Sequence, residues 1–460
     1  MKTQLLGWIL FLAIAPGLSA QSSGLQATAA GPFIRLKTRT VGPGMDGRGF
    51  HTGDRLPTGR GHYVFQFQEL PGPSVHRELA RRGARVLEYV PDNALMVALP
   101  DGFQGSGLGV VRWFSLAAAD KLSPLLSGNY GYYVVIFEPD VDMADAQSWV
   151  ESFAFQVLPN PSLLPAQLLI AGDSSRLATL AGWDEVSYII PASNELVSGA
   201  PVMACAGALT EAGPVGAYVL VSSGWPSDAN GVASLSYVFG ALTSQLDAAS
   251  VENAIQSALE TWERSANISL SPGAQADAAR TILIEFVSGD HGDGYPFTSS
   301  SMLAHTFYPA PPNAEPVAGD MHLNADEPWN IGSGIDIFSV ALHEAGHALG
   351  LGHSDQPGAV MYPYYHAAGG LTGDDIAGIQ ALYGPPGSSP APSNPPVTNP
   401  PTSNPPASNP PPSNPPVSNP PVSNPPAPGG GTAVPTLTIV SPAATMVSTS
   451  ASSQIFSGTA

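Results

Sequence analysis

The sequence predicts an α+β protein, because short strand patterns and amphipathic helices alternate along most of the chain. Residues 235–239 alternate apolar and polar side chains as a half-buried strand does, and residues 282–287 form a second predicted strand. Apolar residues between them fall on one face of a long helix, which should pack on the sheet: Val251, Ile255, Leu259 and Trp262. A further helix carries the segment HEAGHALGLGH at residues 343–353.

The HEAGHALGLGH segment has the spacing of a metal site. His343 and His347 lie one helical turn apart on one face, close enough to bind a single ion. Gly350 can adopt the left-handed conformation that ends a helix, and His353 beyond it can supply a third imidazole. Three imidazoles leave one tetrahedral position open for water, which is typical of catalytic zinc, and Glu344 can accept the proton of that water. From these residues alone, the alternative is an amphipathic helix with solvated histidines.

Residues downstream of the third histidine narrow this interpretation. Ser354 follows that histidine, Met361 lies in the segment AVMYPYY, and residues 371–384 read LTGDDIAGIQALYG. This combination resembles the matrixins, the matrix metalloproteinase family of metzincin zinc endopeptidases, over about residues 216–385. The resemblance implies a catalytic domain with a twisted, mostly parallel sheet and long helices, a methionine turn at Met361, and hydrolysis of peptide bonds in extracellular proteins. The alternative function is a catalytically silent metal-binding or adhesion module, against which the intact Glu344 argues, because a purely structural site has no use for it.

The resemblance also implies a second, structural zinc site upstream of this helix. Three imidazoles and a carboxylate form a closed tetrahedral set with no open position. The matching residues are His291, Asp293, His305 and His322. The loops between them differ in length from those of the family, a change that loops tolerate. The alternative is a group of surface histidines.

The resemblance also implies calcium binding. Asp320, Asn324 and Glu327 match positions of family ligands, so a calcium site is predicted near Asp320 or near the other two. Asn324 stands where the family usually has an aspartate. An amide carbonyl can still coordinate calcium, although the lost charge lowers the affinity.

Peptide substrates are expected to lie extended along the edge strand of the sheet. By resemblance, Leu303 and Ala304 hold the peptide backbone on one side, and Pro363 and Tyr365 hold it on the other. Such strand addition takes its affinity from main-chain hydrogen bonds and its selectivity from a side-chain pocket.

The composition indicates a secreted protein that does not bind nucleic acid. The net charge is −20 with 16 Lys and Arg residues, whereas phosphate binding needs a basic surface. Lys2 precedes an apolar run at residues 5–15 and small residues up to Ala20, which predicts a signal peptide at residues 1–20. A buried N-terminal helix is the alternative, and no stretch has the length of a transmembrane segment. The expected partner is therefore an extracellular protein or peptide substrate.

The N-terminal third has no recognisable chemistry. No fold is predicted for the Gly-rich residues 21–60. Within residues 61–195, the predicted strands and helices recur in a similar order, which suggests two related α+β units: strands at 63–67, 86–90 and 95–99 with a helix at 74–82, then strands at 132–137, 168–171 and 186–190 with helices at 144–153 and 174–181. The region is similar to the small propeptides of secreted proteases, and an adhesion or spacer domain is the alternative.

Residues 196–215 are small and are predicted to be a processing linker. They contain Cys205, the only cysteine, so no disulfide within the chain can form. A thiolate just before the catalytic domain could occupy the open zinc position and inhibit the enzyme, although the family's PRCGVPD-like motif is absent. The alternative is a buried packing residue.

The C-terminal part is predicted to be a spacer followed by the start of another domain. Residues 386–431 repeat the motif NPPxS, which favours an extended polyproline conformation. Residues 432–460 read as the first strands of an immunoglobulin-like β-sandwich, which needs about 100 residues and is therefore incomplete here. This region could attach the protein to a cell surface or to matrix.

Overall fold

The computed structural model describes residues 33–42, 49, 61–127, 131–199, 203–210, 213–214, 224–298, 302–310 and 312–388. The predicted signal peptide, all but the first three residues of the NPPxS spacer, and the predicted sandwich strands lie outside these residues, as does any C-terminal attachment region. Among the described helices, none has the length and apolar character needed to cross a membrane.

The described chain begins with a short antiparallel hairpin, which consists of β1 (Ile34–Arg35) and β2 (Thr40–Val41). The expectation that residues 21–60 are irregular throughout is therefore wrong at this hairpin. Ile34 and Val41 are buried and pack against the first β-sheet of the chain. Strands of two residues are too short to show a period of two, so the sequence pattern carries no signal for them.

The first α+β unit follows. Its elements are β3 (Gly61–Phe67), α1 (Pro73–Arg81), β4 (Arg85–Val90), β5 (Ala94–Leu99) and β6 (Val110–Phe114). The strands are antiparallel and lie in the order β4-β5-β3-β6. Both faces of the sheet are covered, because Phe65 and Val97 pack with Leu79 of α1 while Val64 and Met96 face the N-terminal hairpin.

The second α+β unit begins after two 3₁₀ turns at Ala118–Lys121 and Pro124–Ser127. Its elements are β7 (Tyr132–Phe137), α2 (Met143–Ser152), β8 (Gln156–Leu158), β9 (Gln167–Ala171), a 3₁₀ turn (Ser174–Arg176), α3 (Leu177–Ala181), β10 (Val186–Pro191) and α4 (Asn194–Ser198). The strands are antiparallel in the order β10-β7-β9-β8.

The two units share one topology. In each, a helix joins the first strand to the second, the first strand lies between the third and the fourth, and the second lies at an edge beside the third. His62 connects the units, since its ring nitrogens lie 2.9 Å from Asp140 Oδ1 and 2.7 Å from Asp184 Oδ2. A common origin for the two units stays a prediction.

The remaining elements form the third and largest part. They are β11 (Ala204–Thr210), β12 (Gly213–Pro214), β13 (Ala233–Phe239), α5 (Ala248–Glu263), β14 (Ile268–Pro272), β15 (Thr281–Val287), β16 (Met302–Phe307), β17 (Met321–Asn324), β18 (Trp329–Asn330), β19 (Ile335–Asp336), α6 (Ile337–Ala348) and α7 (Gly373–Tyr383).

The main sheet of this part has the order β12-β11-β16-β17-β15-β13-β14. Neighbouring strands are parallel except for the β16–β17 and β11–β12 pairs. The prediction that residues 196–215 are a linker is therefore wrong for β11, which is hydrogen-bonded into the sheet beside β16. Small residues are typical of linkers, but they also let one strand approach another closely.

Helices α5 and α6 pack together beside this sheet. The apolar face predicted for α5 is buried, and the Trp262 indole donates a hydrogen bond of 2.8 Å to Leu342 O of α6. Tyr383 of α7 donates its hydroxyl to Leu349 O just beyond α6. These contacts fix α6, which carries the HEAGH residues, against the sheet.

Candidate metal centre and active site

Helix α6 has a defined beginning and end. Asp336 caps its N-terminus by accepting hydrogen bonds from Ser339 N at 3.0 Å and Ser339 Oγ at 2.7 Å. Gly350 has a φ of +104° just past the C-terminus, a conformation that favours glycine. The chain then turns back, and Leu351 N bonds to Gly346 O at 2.8 Å. This turn brings His353 beside the two helical histidines.

The protonation of the helical histidines follows from their hydrogen bonds. His343 Nδ1 lies 2.6 Å from Val360 O, and His347 Nδ1 lies 2.7 Å from Leu351 O. A carbonyl only accepts, so both Nδ1 atoms carry the proton and both Nε2 atoms present lone pairs. The two Nε2 atoms are 3.1 Å apart. Lone pairs at that separation repel each other unless a cation binds them, so the residues fit a metal ion.

The third histidine completes the set. The ring centre of His353 lies 5.3 Å from that of His343 and 4.9 Å from that of His347. Its Nε2 is buried without a hydrogen-bond partner. Burial lowers the pKa of His343 to about 4 and lowers the pKa values of His347 and His353 well below the usual value. All three rings are therefore neutral near pH 7, as metal ligands must be.

Glu344 lies beside this cluster and is fully buried. Its Oε2 accepts a hydrogen bond of 2.6 Å from Thr306 Oγ1, whereas its Oε1 has no partner. Burial raises the pKa of Glu344 to about 7, although hydrogen bonds from Cys205 and Thr306 oppose the shift. A carboxyl group with one oxygen held and the other unpaired is suited to exchange protons with a neighbouring water.

Met361 packs directly beneath the helix. A Cβ on Gly346 would overlap Met361 Sδ, so glycine is the residue that allows this approach. Asp375 supports the turn, since its carboxylate accepts hydrogen bonds from Val360 N at 3.0 Å and Met361 N at 3.1 Å. The same carboxylate closes a capping box with Thr372 at the start of α7.

A second cluster of donors lies on the other side of β16. Asp293 Oδ2 has three imidazole nitrogens around it, at 2.8 Å from His291, 2.8 Å from His305 and 2.9 Å from His322. His305 and His322 face each other directly in the antiparallel β16–β17 pair. Their donor atoms and those of His291 and Asp293 all lie within 4.8 Å of one another.

The second cluster also fits a cation. His291 Nδ1 lies 3.0 Å from Gly289 O, so its Nε2 presents a lone pair to the Asp293 carboxylate. Burial lowers the pKa of His305 to about 4 and also lowers the pKa of His322. Three imidazoles and a carboxylate at these distances form a closed set of four ligands.

The cleft above α6 contains a segment of the chain itself. Strand β11 lies parallel to β16, and Cys205 is paired with Ala304. On its other side, Cys205 N donates to Pro363 O at 3.1 Å and Tyr365 N donates to Met203 O at 2.7 Å. Three of the four residues predicted to hold a peptide substrate thus line this occupied cleft: Leu303, Pro363 and Tyr365.

Cys205 joins the first cluster. Its Sγ and the imidazole nitrogens of His343, His347 and His353 lie within 4.8 Å of one another. Burial raises the pKa of the Cys205 thiol well above its usual value, and the nearby Glu344 carboxyl adds to that shift. A bound cation would offset this effect, because a coordinating thiol is deprotonated.

The predicted calcium ligands lie in two places. Asp320 precedes β17 and accepts a hydrogen bond of 2.8 Å from Leu283 N, and burial raises its pKa to about 7. Asn324 ends the same strand, where its Nδ2 lies 3.3 Å from Glu327 Oε1. Among the described residues, neither place gathers three acidic, histidine or cysteine ligands. Calcium binding stays a prediction.

Comparison with known proteins agrees with this arrangement. Residues 225–384 match the family described as Matrixin. These residues belong to the matrixin family. Karilysin of Tannerella forsythia is 41% identical over 178 residues, which cover 38% of this chain and 36% of that protein. Matrix metalloproteinase-20 of Homo sapiens is 41% identical over 157 residues, covering 33% of this chain and 31% of that protein.

Neutrophil collagenase of Homo sapiens is 42% identical over 156 residues, covering 33% of this chain and 32% of that protein. The chain therefore spans about a third of the length of these relatives. Outside the matrixin domain, residues 35–116 match a domain of unknown function, which contains the N-terminal hairpin and the first α+β unit. The matrixin domain has the predicted mixture of helices and a mostly parallel sheet.

Some contacts of the site have no signal in the sequence. Thr306 reaches Glu344 only because β16 lies over α6, and no motif includes it. Lys37 lies more than 300 residues before His353, yet its Nζ donates to His353 O at 3.0 Å. Only the arrangement of the folded units reveals such pairs.

Proposed function

We propose that the matrixin domain is a secreted zinc-dependent endopeptidase that hydrolyses peptide bonds of extracellular proteins. The observation that carries the proposal is the pair of imidazole lone pairs 3.1 Å apart, with the unpaired Glu344 Oε1 beside them. Membership of the matrixin family and relatives named as metalloproteinases support the same activity. His343, His347 and His353 are the proposed zinc ligands.

The chemistry divides between the ion and the chain. Bound zinc would polarise the scissile carbonyl and lower the pKa of a water molecule. Glu344 accepts the proton of that water and then delivers it to the leaving amine. Thr306 holds the other oxygen of the same carboxylate and so orients it toward the reacting atoms.

The substrate is a protein segment in extended conformation. The position of residues 203–205 supports this proposal, since they lie between β16 and the segment around Pro363 with backbone hydrogen bonds to the latter. Leu303 and Ala304 on one side and Pro363 and Tyr365 on the other are the proposed contacts of a substrate backbone. Met361 supports the floor of the site.

Two further metal sites belong to this proposal. The cluster of His291, Asp293, His305 and His322 would hold a structural zinc ion, because its four ligands leave no position for water. A calcium ion would bind near Asp320, or near Asn324 and Glu327, through carboxylate and carbonyl oxygens.

Latency is the third element of the proposal. Cys205 Sγ lies where a fourth ligand of the catalytic zinc would bind, and the cleft around it is filled by β11. A thiolate at that position would displace the water molecule on which hydrolysis depends. The unprocessed chain is accordingly expected to be inactive until this segment leaves.

The activity can be tested on secreted, processed protein. It should digest casein, and a zinc chelator should stop the digestion. Glu344→Gln should retain its zinc and its fold but lose at least about 10²-fold in rate, since general-base catalysis contributes that much. A processed, zinc-loaded wild type without activity, or a Glu344→Gln variant with near wild-type turnover, would contradict the proposal.

A further inference from the structure

The N-terminal hairpin and its flanks, residues 33–42, carry three basic residues that each pair with a different part of the molecule. We call this segment the strap. Arg35 lies 3.2 Å from Asp92 of the first α+β unit, and Arg39 lies 2.6 Å from Asp120 at the entrance to the second. Lys37 pairs with Asp355 of the matrixin domain. The chain has only 16 basic residues against 36 acidic ones. Three of these basic residues connect the strap to the first α+β unit, to the entrance to the second and to the matrixin domain.

The Lys37 pair is buried at the edge of the candidate active site. The side chains of Lys37 and Asp355 are only 4% and 8% exposed. The Lys37 ammonium also donates to His353 O at 3.0 Å, and it lies 5.2 Å from the ring centre of Tyr188. The Tyr188 hydroxyl donates to the other oxygen of Asp355 at 2.9 Å. The strap and the second α+β unit therefore both contact Asp355.

The second unit also covers the wall of the peptide cleft. The Tyr362 hydroxyl donates to Pro191 O at 3.1 Å, and the Tyr364 hydroxyl contacts both Gln167 and Leu164 N. Apolar residues of both parts share one buried cluster, which also includes Ala204 next to Cys205: Val134, Leu169, Tyr188, Ile190, Leu196, Ala204, Tyr362 and Tyr364. The second unit thus packs against Ala204 of β11, while β11 itself fills the cleft.

Strand β11 pairs irregularly with its neighbour in the sheet. Its pairing with β16 is interrupted around Cys205, where the register shifts on both sides. Each main-chain hydrogen bond of this strand contributes only about 0.5–1.5 kcal/mol net, and an interrupted register forms fewer of them than a regular one. The second unit supplies further contacts to Ala204 of β11 and to the Tyr362–Tyr364 wall.

We propose that the ion pair of Lys37 with Asp355 is the contact that fastens residues 33–199, and with them β11, across the peptide cleft. This inference rests on the proposed peptidase activity and its latency. Release of the cleft requires Lys37 to leave Asp355 and the second unit to leave the Tyr362–Tyr364 wall.

Cys205 provides a native probe of this release, because it is the only cysteine of the chain and is buried in the cleft. The full-length Glu344→Gln chain, which should not cut itself, is labelled with a thiol-reactive alkylating reagent. Lys37→Met in that background should raise the labelling rate about tenfold or more, since removal of one partner leaves the other buried charge uncompensated. Arg35→Met is the matched control, because its ion pair is half-exposed and lies within the N-terminal region. It should change the rate by less than about twofold.

A second pair of variants distinguishes release of the peptide cleft from misfolding. Tyr188→Phe removes only the hydroxyl that donates to Asp355, whereas Tyr133→Phe removes a buried hydroxyl that accepts from Gly131 N within the second unit. The first should speed labelling and the second should not, with circular dichroism unchanged in both. Equal labelling rates for Lys37→Met and its parent, or equal acceleration by Arg35→Met, would overturn the assignment, as would Tyr188→Phe behaving like Tyr133→Phe.

The labelling needs no peptidase activity, so the two proposals fail in different ways. If processed wild type digests no casein, the proposed function is wrong whatever the labelling rates are. If it digests casein and Lys37→Met still labels at the parent rate, the fastener is wrong and the peptidase stands. With Glu344 intact, Lys37→Met should also shorten the lag before the full-length chain becomes active, and an unchanged lag would count against the proposal.

Discussion

Gly346→Ala is expected to destabilise the matrixin domain, although it improves helix propensity. Gly346 lies inside α6, where alanine is more stable than glycine by about 1 kcal/mol in an exposed helix. A Cβ at this position would overlap Met361 Sδ and would lie 3.0 Å from Met361 Cε and from Trp262 Cζ2. Ordinary contacts between such atoms are about 3.5–4.0 Å. One of the two neighbours must therefore move.

Neither neighbour can move freely. Met361 is only 2% exposed, so its side chain has little space to turn into, and the Trp262 indole is hydrogen-bonded to Leu342 O. Overpacking a rigid core typically costs about 1–3 kcal/mol. After the gain of about 1 kcal/mol in helix propensity, the net loss is about 0–2 kcal/mol. For a domain of this size, the upper end of that range corresponds to a decrease of about 4–8 °C in melting temperature.

The assay is the thermal unfolding of the full-length Glu344→Gln chain, following the transition that shifts when zinc is chelated. Gly378→Ala in α7 is the control, because its Cβ would meet only a Leu351 methyl group at 3.3 Å. That variant should melt at or slightly above the parent temperature. A Gly346→Ala chain that melts as high as Gly378→Ala would refute the packing of α6 on Met361.

Three further variants test the site. Thr306→Val should lower kcat with little change in KM, while Thr306→Ser keeps kcat, because only the hydroxyl orients Glu344; equal kcat for Val and Ser would contradict this role. His305→Ala should reduce the zinc content of the chain from two ions to one and lower the melting temperature; metal analysis that finds one zinc in the parent would remove the second site. Cys205→Ser should shorten the lag before the unprocessed chain becomes active, because it removes the thiol near the zinc ligands while β11 still fills the cleft; an unchanged lag would assign latency to the filled cleft alone.

The parts of the site that the sequence predicts are those encoded by local spacing. His343 and His347 share a helix face because a helix repeats every 3.6 residues, and Gly350 marks the turn that returns His353 to them. The burial of the predicted face of α5 follows from the same period. For these elements, the local pattern and the tertiary structure agree.

The second cluster shows where local spacing is insufficient. His305 and His322 are brought together by the register of two antiparallel strands, and a shift of one residue would put them on opposite faces. That register is set by the whole sheet and not by either strand. The resemblance to the matrixins therefore predicts that these residues form one site, which the spacing of the residues alone does not.

The strap and β11 were missed for different physical reasons. Two-residue strands have no period, and the strap's basic residues look like any solvated charges until their acidic partners are known. The small residues around Cys205 predict a processing linker. In the structure, Gly207 has a φ of +90°, and a Cβ there would lie 3.3 Å from the His353 ring. Because Gly207 has no side chain, its backbone can lie beside His353, a proposed metal ligand.

This fit explains why a weak strand and a large N-terminal region belong together. A segment small enough to pass beside His353 has few side-chain contacts with which to stay there, so its occupancy of the cleft depends on what is attached to it. The second unit supplies apolar contacts to Tyr362 and Tyr364, and the strap supplies a buried ion pair at Asp355. Different residues thus determine whether β11 fits into the cleft and how strongly it is held there. A substitution in the strap should consequently change how often the cleft opens without changing what fits into it.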